Sequence, residues 1–447
     1  MAAWGEDRAL SLATSALDLA DADGVEVLLT RSDSAVTRFA ESRIHQNTAR
    51  SDGEARVRVV TDGRIGVVAT NELTAEGVRR AAAAALDAAR VTPADPAFPG
   101  FAEPASYTTA GIDDDETAGC PPGRRAELVS ALLAPLGKDV VGAGTVETGQ
   151  GEMVVVNSNG VRAYHRSTRA AASILASGDD SSGFAEASEG RLADLDADRL
   201  GRRAADKVER GRRPRDLPAG DFAVVLEPAA ASTLVQWLAW TAFGGKAVTE
   251  GRSALSGRLG ERVCDPSVSI VDDPLSPLLP GMPFDFEGTP TRRLDLIRDG
   301  VAVGATHDRA SARVAGTEST GHGLPAPNPE GGIPLHPIME PGDATLDELV
   351  AGCARGLLVT RFHYTNLVHP IETTITGMTR DSTFLIEDGA ITAGVHNLRF
   401  TQSILGALGD VQGIGSQTEV ATELFFGAAR APALRLGRFA FSSVTTY

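Results

Sequence analysis

The sequence predicts an α+β protein. Its N-terminal part reads as an α/β sandwich-like domain with an antiparallel sheet. Its C-terminal part reads as a curved, largely antiparallel β-sheet with a few helices. Three observations carry this. Hairpin turns recur along the chain, at Asp62-Gly63, Asn159-Gly160, Asp299-Gly300 and Asp388-Gly389, each between strand-like runs. Long helical patterns fall mostly in the first half. Residues 211–220, GRRPRDLPAG, fit neither period and read as the linker between domains at 1–216 and 217–447.

Taken in order, residues 7–20 put Leu10, Ala13, Leu17 and Ala20 on one helical face. Residues 25–29 read as a strand and 35–44 as a second, weaker one. ARVRVV-TDG-RIGVVAT alternates apolar with polar residues around its turn, and 74–89 is an Ala-rich helix. Residues 93–123, rich in Pro and carrying the acidic run 113–116, read as a long lid-like loop. A helix follows at 124–136, then strands at 145–148, 152–157, 161–167 and 169–177, then a charged helix at 192–210. The basic run 211–215 reads as a solvated hinge, because the chain as a whole is acidic.

The second half opens on FAVVLEPAAASTLVQWLAWTAFGG, residues 222–245. The apolar run 222–226 reads as a buried strand. Pro228 suits the first helical position, and Ala231, Leu234, Val235, Leu238 and Ala242 share one face of the helix that follows. Gly244 and Gly245 stop it. A strand running into a buried helix start is a common address for catalysis, yet residues 229–245 contain no His, Cys, Asp or Glu. Further on, 319–342 reads as loop. Thr345 and Glu348 form a capping box for a helix at 346–355, and 357–362 and 373–376 read as strands.

Composition narrows the function classes. The chain has 447 residues and a formal charge of −17, from 42 basic and 59 acidic side chains. That argues against nucleic acid or an anionic membrane as a partner. Cys120, Cys264 and Cys353 are far apart and odd in number, so they read as buried reduced thiols. The N-terminus shows no secretory pattern, and the most apolar window, 229–243, falls short of the roughly 20 residues that span a bilayer. The expectation is a cytoplasmic protein.

Candidate chemistry is sparse. No two histidines stand four residues apart, as a helical zinc motif requires. His363, His369 and Glu372 lie in RFHYTNLVHPIET, where a strand gives way to loop; meeting there, they would form a His₂Glu metal set. His322 lies in Ser319-Thr-Gly-His-Gly323. With Gly321 and Gly323 it reads as a flexible, groove-lining loop that contacts substrate, and His363 is a second substrate-binding candidate. There is no G-x-S-x-G elbow, phosphate-binding loop or dinucleotide fingerprint.

Several stretches together resemble the TldD/PmbA proteins, also called modulators of DNA gyrase. They are ESRIHQNTARSDGEARVRVVTDGRIGVVATNEL, PFDFEGTPTRRLDLIRDG, ESTGHG, EPGDATLDELVAGCARGLLVT and ITGMTRDSTFLIEDGAIT. The resemblance implies a heterodimer whose TldD-type subunit is a zinc peptidase, with H-E-x-x-x-H on a helix after a strand and a Cys in a Gly-rich strand near the C-terminus. Laid without gaps on VVLEPAAAS, the motif positions fall on Glu227, Pro228 and Ser232. The Cys segment resembles Gly413-Ile-Gly-Ser-Gln417, which has no Cys. The chain thus looks like the PmbA/TldE-type subunit.

The expected function is a non-catalytic subunit that binds no cofactor. It would close the cavity of a zinc-bearing TldD-type partner and bind unfolded or modified peptide. Two alternatives are a peptide-binding scaffold homodimer and an autonomous hydrolase using His363, His369 and Glu372.

Overall fold

The structure is a computed structural model describing residues 3–421 and 427–444. The chain is α+β, as predicted.

Six strands form the first sheet: β1 (Gly24–Ala40), β2 (Arg43–Thr61), β3 (Arg64–Thr70), β4 (Val141–Asn157), β5 (Arg162–Ser177) and β6 (Ser182–Glu189). Their order is β3-β2-β1-β4-β5-β6, and every pairing is antiparallel. One face is covered by helices α1 (Glu6–Thr14), α2 (Ala75–Val91), α3 (Asp115–Ala118), α4 (Pro122–Leu133) and α5 (Ala197–Gly211). Val25, Val27 and Leu29 point to that face and pack with Val78, Ala82 and Leu86. Leu28 points the other way and packs on Phe284 from the second half of the chain. The period of two along β1 therefore feeds two different cores.

The second sheet comprises β7 (Gly220–Leu226), β8 (Ile270–Asp272), β9 (Leu294–Arg298), β10 (Val301–Ala302), β11 (Pro337–Met339), β12 (Arg355–His369), β13 (Thr374–Glu387), β14 (Ala390–Val395), β15 (Leu398–Ser403), β16 (Val411–Ala421) and β17 (Ala429–Val444). Strand β7 pairs with β12 on one edge and β17 on the other, while β12, β13, β15 and β17 run in succession. The expected curvature thus goes as far as closing a ring of strands. Val224 and Leu226 enter one core with Phe362, Phe400 and Phe439, whereas Val225 enters another with Leu358 and Phe384. A strand buried on both faces explains why its sequence is continuously apolar.

Helix α6 (Pro228–Ala242) packs against this ring, and the short helices α7 (Gly245–Thr249), α8 (Arg309–Ala315), α9 (Leu346–Ala351) and α10 (Ile404–Leu408) fill connections. The predicted face of α6 is buried throughout, at 1% exposure or less for Ala231, Leu234, Val235, Leu238 and Ala242. Trp237 is buried and donates from Nε1 to Thr365 Oγ1 at 2.9 Å, while Trp240 is 44% exposed. The bulky face of α6 is thus core along most of its length. All three cysteines are free and buried.

Several boundaries differ from the sequence reading, each for a local reason. Residues 25–29 and 35–44 are not two strands. They form the single strand β1, which turns at Glu41-Ser42, both at positive φ, into β2. That turn has no Gly or Asn to announce it. Strand β4 likewise merges 145–148 with 152–157. The first helix ends at Thr14, where the Thr14 hydroxyl bonds back to Leu10 O at 2.9 Å. A 3₁₀ turn at Leu192–Asp194 precedes α5. The lid-like loop contains α3, capped by Asp114. Residues 319–342 contain strand β11. The basic run 211–215 is solvated, with Arg212, Arg213 and Arg215 exposed, but its backbone is tied down. Arg213 N donates to Asp180, and the Arg215 backbone bonds to Gly394 O and His396 N, which straps the segment to β14.

Candidate functional site

The turn from β7 into α6 holds a cluster of paired charges. Glu227 is the N-cap of α6. Its carbonyl accepts the first helical bond from Ala231 N at 3.0 Å, and its N–H donates to Val359 O at 2.9 Å. Its side chain, 3% exposed, receives Lys207 Nζ at 2.7 Å and Arg203 Nη2 at 3.4 Å, both from α5. Thr360 Oγ1 donates to the other carboxylate oxygen at 3.3 Å. Arg203 also holds Glu419 of β16 at 2.6 Å. Burial pushes the Lys207 ammonium down, and Glu227 opposes that push. Pro228 occupies the first turn, where its missing N–H costs nothing. Ser232 is fully buried and donates to the Glu419 carbonyl at 3.4 Å.

Sequence reasoning missed the cations. Their signal was present, because Arg199, Arg203 and Lys207 stand at i, i+4 and i+8 on α5. What a sequence cannot show is that this column faces the β7–α6 turn across the linker.

Beside the cluster lies a cleft of about 220 Å³, lined among others by Arg199, Arg203, Pro228, Thr345, Ser416 and Glu419. The far wall is a bulge in β16. Ile414 pairs with Leu434 and Thr418 with Pro432, so Gly415, Ser416 and Gln417 stand opposite the single residue Ala433. The cleft therefore joins the helix start to the Gly-rich segment that the sequence reading set beside it. Two more open grooves, of about 320 and 420 Å³, run elsewhere along 177–182 with 394–397 and along 389–393. Neither includes any of these residues.

The residues at this turn do not suit a zinc ion. Any ion at Glu227 would sit beside an ammonium and a guanidinium, both already bonded to the carboxylate. Pro228 offers no donor atom, and the Ser232 hydroxyl is engaged with a carbonyl. Zinc sites use thiolate, neutral imidazole or free carboxylate ligands, and here one carboxylate is already neutralised.

The other predicted residues lie elsewhere. His322 is 4% exposed. Its Nε2 contacts Asp272 Oδ2 at 2.9 Å, and its Nδ1 contacts Thr320 Oγ1 at 2.8 Å. Both ring nitrogens are bonded, so the ring is held firmly in its loop, and His322, Gly321 and Gly323 line a small cavity together with Asp272, Phe284 and His336. Gly321 and Gly323 are where they are for close approach. A Cβ on Gly321 would lie 2.3 Å from Pro290 O, and one on Gly323 would lie 2.7 Å from Glu287 Cγ.

His363 and His369 lie on strand β12 and not on a loop. The His363 ring meets Tyr364 edge-on, and Glu372 N donates to His369 Nδ1 at 3.2 Å. Among the described residues no three His, Cys, Asp or Glu side chains gather as a metal would require, so the His363, His369 and Glu372 set is not assembled. No described helix is long and apolar enough to cross a membrane.

Comparison with known proteins places this geometry. Residues 219–443 match the PmbA/TldA metallopeptidase C-terminal domain, 121–212 the central domain and 25–89 domain 1. The chain belongs to the PmbA/TldD metallopeptidase family. It is 26% identical over 442 residues to the metalloprotease PmbA of Escherichia coli O157:H7, covering 95% of this chain and 94% of that one. A metalloprotease of Methanothermobacter thermautotrophicus is 26% identical over 224 residues, and there the match spans only 48% of the relative's length. The crystal structure of TldE from Thermococcus kodakarensis superposes with a TM-score of 0.85 at 22% identity, covering 94% of this chain and 97% of that one. A likeness at that identity concerns the fold.

Proposed function

We propose that this chain is the non-catalytic, PmbA/TldE-type subunit of a heterodimeric zinc peptidase acting on unfolded or modified peptides. It closes the cavity of a TldD-type partner and helps hold the peptide, while the metal and the bond-breaking chemistry belong to the partner. The observation that carries this is the Glu227 ion cluster. At the three positions that the family resemblance sets against a metal motif, this chain has a carboxylate bonded to Lys207 and Arg203, a proline and an engaged serine. Family membership supports peptide as the substrate class.

In this reading His322, Gly321 and Gly323, which line a small cavity beside the 283–291 loop, contribute to holding the peptide. A free strand edge suits binding of an extended peptide. Strand β3 pairs only with residues 55–61 of β2, so along 43–54 that edge has no strand partner among the described residues.

The test is reconstitution. The purified chain is expected to leave an unstructured peptide intact, and mixing it with a TldD-type partner should produce cleavage that neither protein gives alone. Chelator-sensitive cleavage by the isolated chain would overturn the proposal.

A further inference from the structure

The cleft beside Glu227 has features that the lost metal motif does not account for. Helix α5 presents Arg199, Arg203 and Lys207 in a column, in a protein of net charge −17. Lys207 is consumed by Glu227, and Arg203 is shared between Glu227 and Glu419. Arg199 is exposed on the cleft wall and makes no ion pair or side-chain hydrogen bond among the described residues. Glu189 lies within electrostatic range of Arg199 but does not bond to it, and Arg430 acts on the same Glu189.

The opposite wall is the β16 bulge. Its backbone is fixed, with Ser416 N donating to Ala344 O at 2.7 Å and Gly415 O accepting from Gly342 N at 3.0 Å. The exposed Ser416 hydroxyl and Gln417 amide have no partner among the described residues and line the same cleft. Nearby acceptors are already used: Glu419 is held by Arg203, and the Thr345 hydroxyl is committed to its capping box. The cleft thus offers a guanidinium, a hydroxyl and an amide N–H₂, while its acidic lining residue, Glu419, is already paired with Arg203.

We propose that this cleft binds a carboxylate of an extended peptide, with Arg199 as the anchoring cation and Ser416 and Gln417 as supporting donors. A carboxylate takes two parallel N–H bonds from one guanidinium, and donors on the far wall can reach its remaining lone pairs. At about 220 Å³ the space is below the roughly 300–1,000 Å³ of sites for drug-sized ligands, which suits one terminal or acidic residue better than a nucleotide. The proposal rests on the subunit reading for the identity of the ligand as substrate. It adds where that peptide is gripped.

The test uses the full chain and an N-terminally labelled, unstructured peptide followed by fluorescence anisotropy. The peptide is made with a free C-terminus, with a C-terminal amide, and with an amide plus one internal glutamate. Wild type is expected to bind the amide about tenfold more weakly than the free acid. Arg199→Ala should bind both alike, and Arg199→Lys should recover part of the difference. If the internal glutamate restores affinity, the same site accepts a side-chain carboxylate. Equal binding of acid and amide by wild type, or a difference that persists in Arg199→Ala, would overturn the proposal. So would millimolar inorganic phosphate displacing all three peptides equally. The outcome separates from the subunit reading. Partner-dependent cleavage without carboxylate discrimination counts against the cleft alone, and discrimination without partner-dependent cleavage counts against the subunit reading alone.

Discussion

Two buried ion clusters join the halves of this chain, and they are balanced in different ways. At the β7–α6 turn two cations, Arg203 and Lys207, face two carboxylates, Glu227 and Glu419. At the opposite contact Arg58 of β2 bonds Glu26 of β1 at 2.8 Å and Glu287 of the 283–291 loop at 3.4 Å, with Asp285 close to Glu287, whose other oxygen accepts from Arg309 N at 3.0 Å. There carboxylates outnumber cations. Burial raises Glu26 to about 7, against the pull of Arg58. Burial and the Glu287 charge hold Asp285 well above the usual carboxylate range, although three backbone N–H groups bond to it. The first cluster pairs two cations with two carboxylates at the positions that the family resemblance sets against a metal motif. The second is short of positive charge and should respond to protons.

Breaking the first cluster should have the largest effect. Lys207→Met leaves Glu227 buried without its nearest cation, at a cost of about 3–5 kcal/mol in urea unfolding. Adding Glu227→Leu should recover most of that loss, because a well-packed apolar pair can replace a buried ion pair. A double variant no more stable than Lys207→Met would show that the cluster is not the unit described.

Arg58→Met attacks the second cluster, and there the outcome should depend on pH. Near pH 7 it should cost about 3 kcal/mol. Near pH 5 the loss should shrink, because the stranded carboxylates can take up protons. A loss independent of pH would put the two clusters on the same footing.

Glu26→Gln sharpens the contrast further. The folded carboxyl titrates near 7 and the free one near 4.5, so the folded state holds the extra proton between those values. Wild-type stability should therefore fall as pH rises from about 4.5 to 7, by at most about 3 kcal/mol from this group. Glu26→Gln should flatten that slope and leave the Lys207→Met loss unchanged, as read from unfolding midpoints across pH. The smallest effect is expected from Thr360→Val, which removes one hydrogen bond to Glu227 and should cost about 1 kcal/mol.

Much of the fold was legible because the signals are local. Asp-Gly and Asn-Gly pairs announced four hairpins, and the face of α6 followed from spacing. The Glu41-Ser42 turn was not legible, since neither residue favours positive φ. Nor was the length of β1 and β2: residues 43–52 are exposed and, apart from Ile44 and Ala49, polar, so alternation gives no strand signal there. The helix start at Glu227 was readable as a site-shaped turn without site chemistry, yet its partners lie at a distance in sequence. Lys207 and Arg203 come from before the linker and Glu419 from near the C-terminus, and no spacing rule links them to Glu227. The surroundings of His322 were legible only in part, for a related reason. A histidine between glycines suggests a loose loop, whereas Asp272, which receives its Nε2, is placed by strand β8.

The most direct measurement is zinc content by mass spectrometry on the chain purified alone and on its complex with a TldD-type partner. The Glu227 cluster predicts far less than one zinc per copy of the isolated chain, and a full zinc complement only once the partner is present. One tightly held zinc per isolated chain would contradict it.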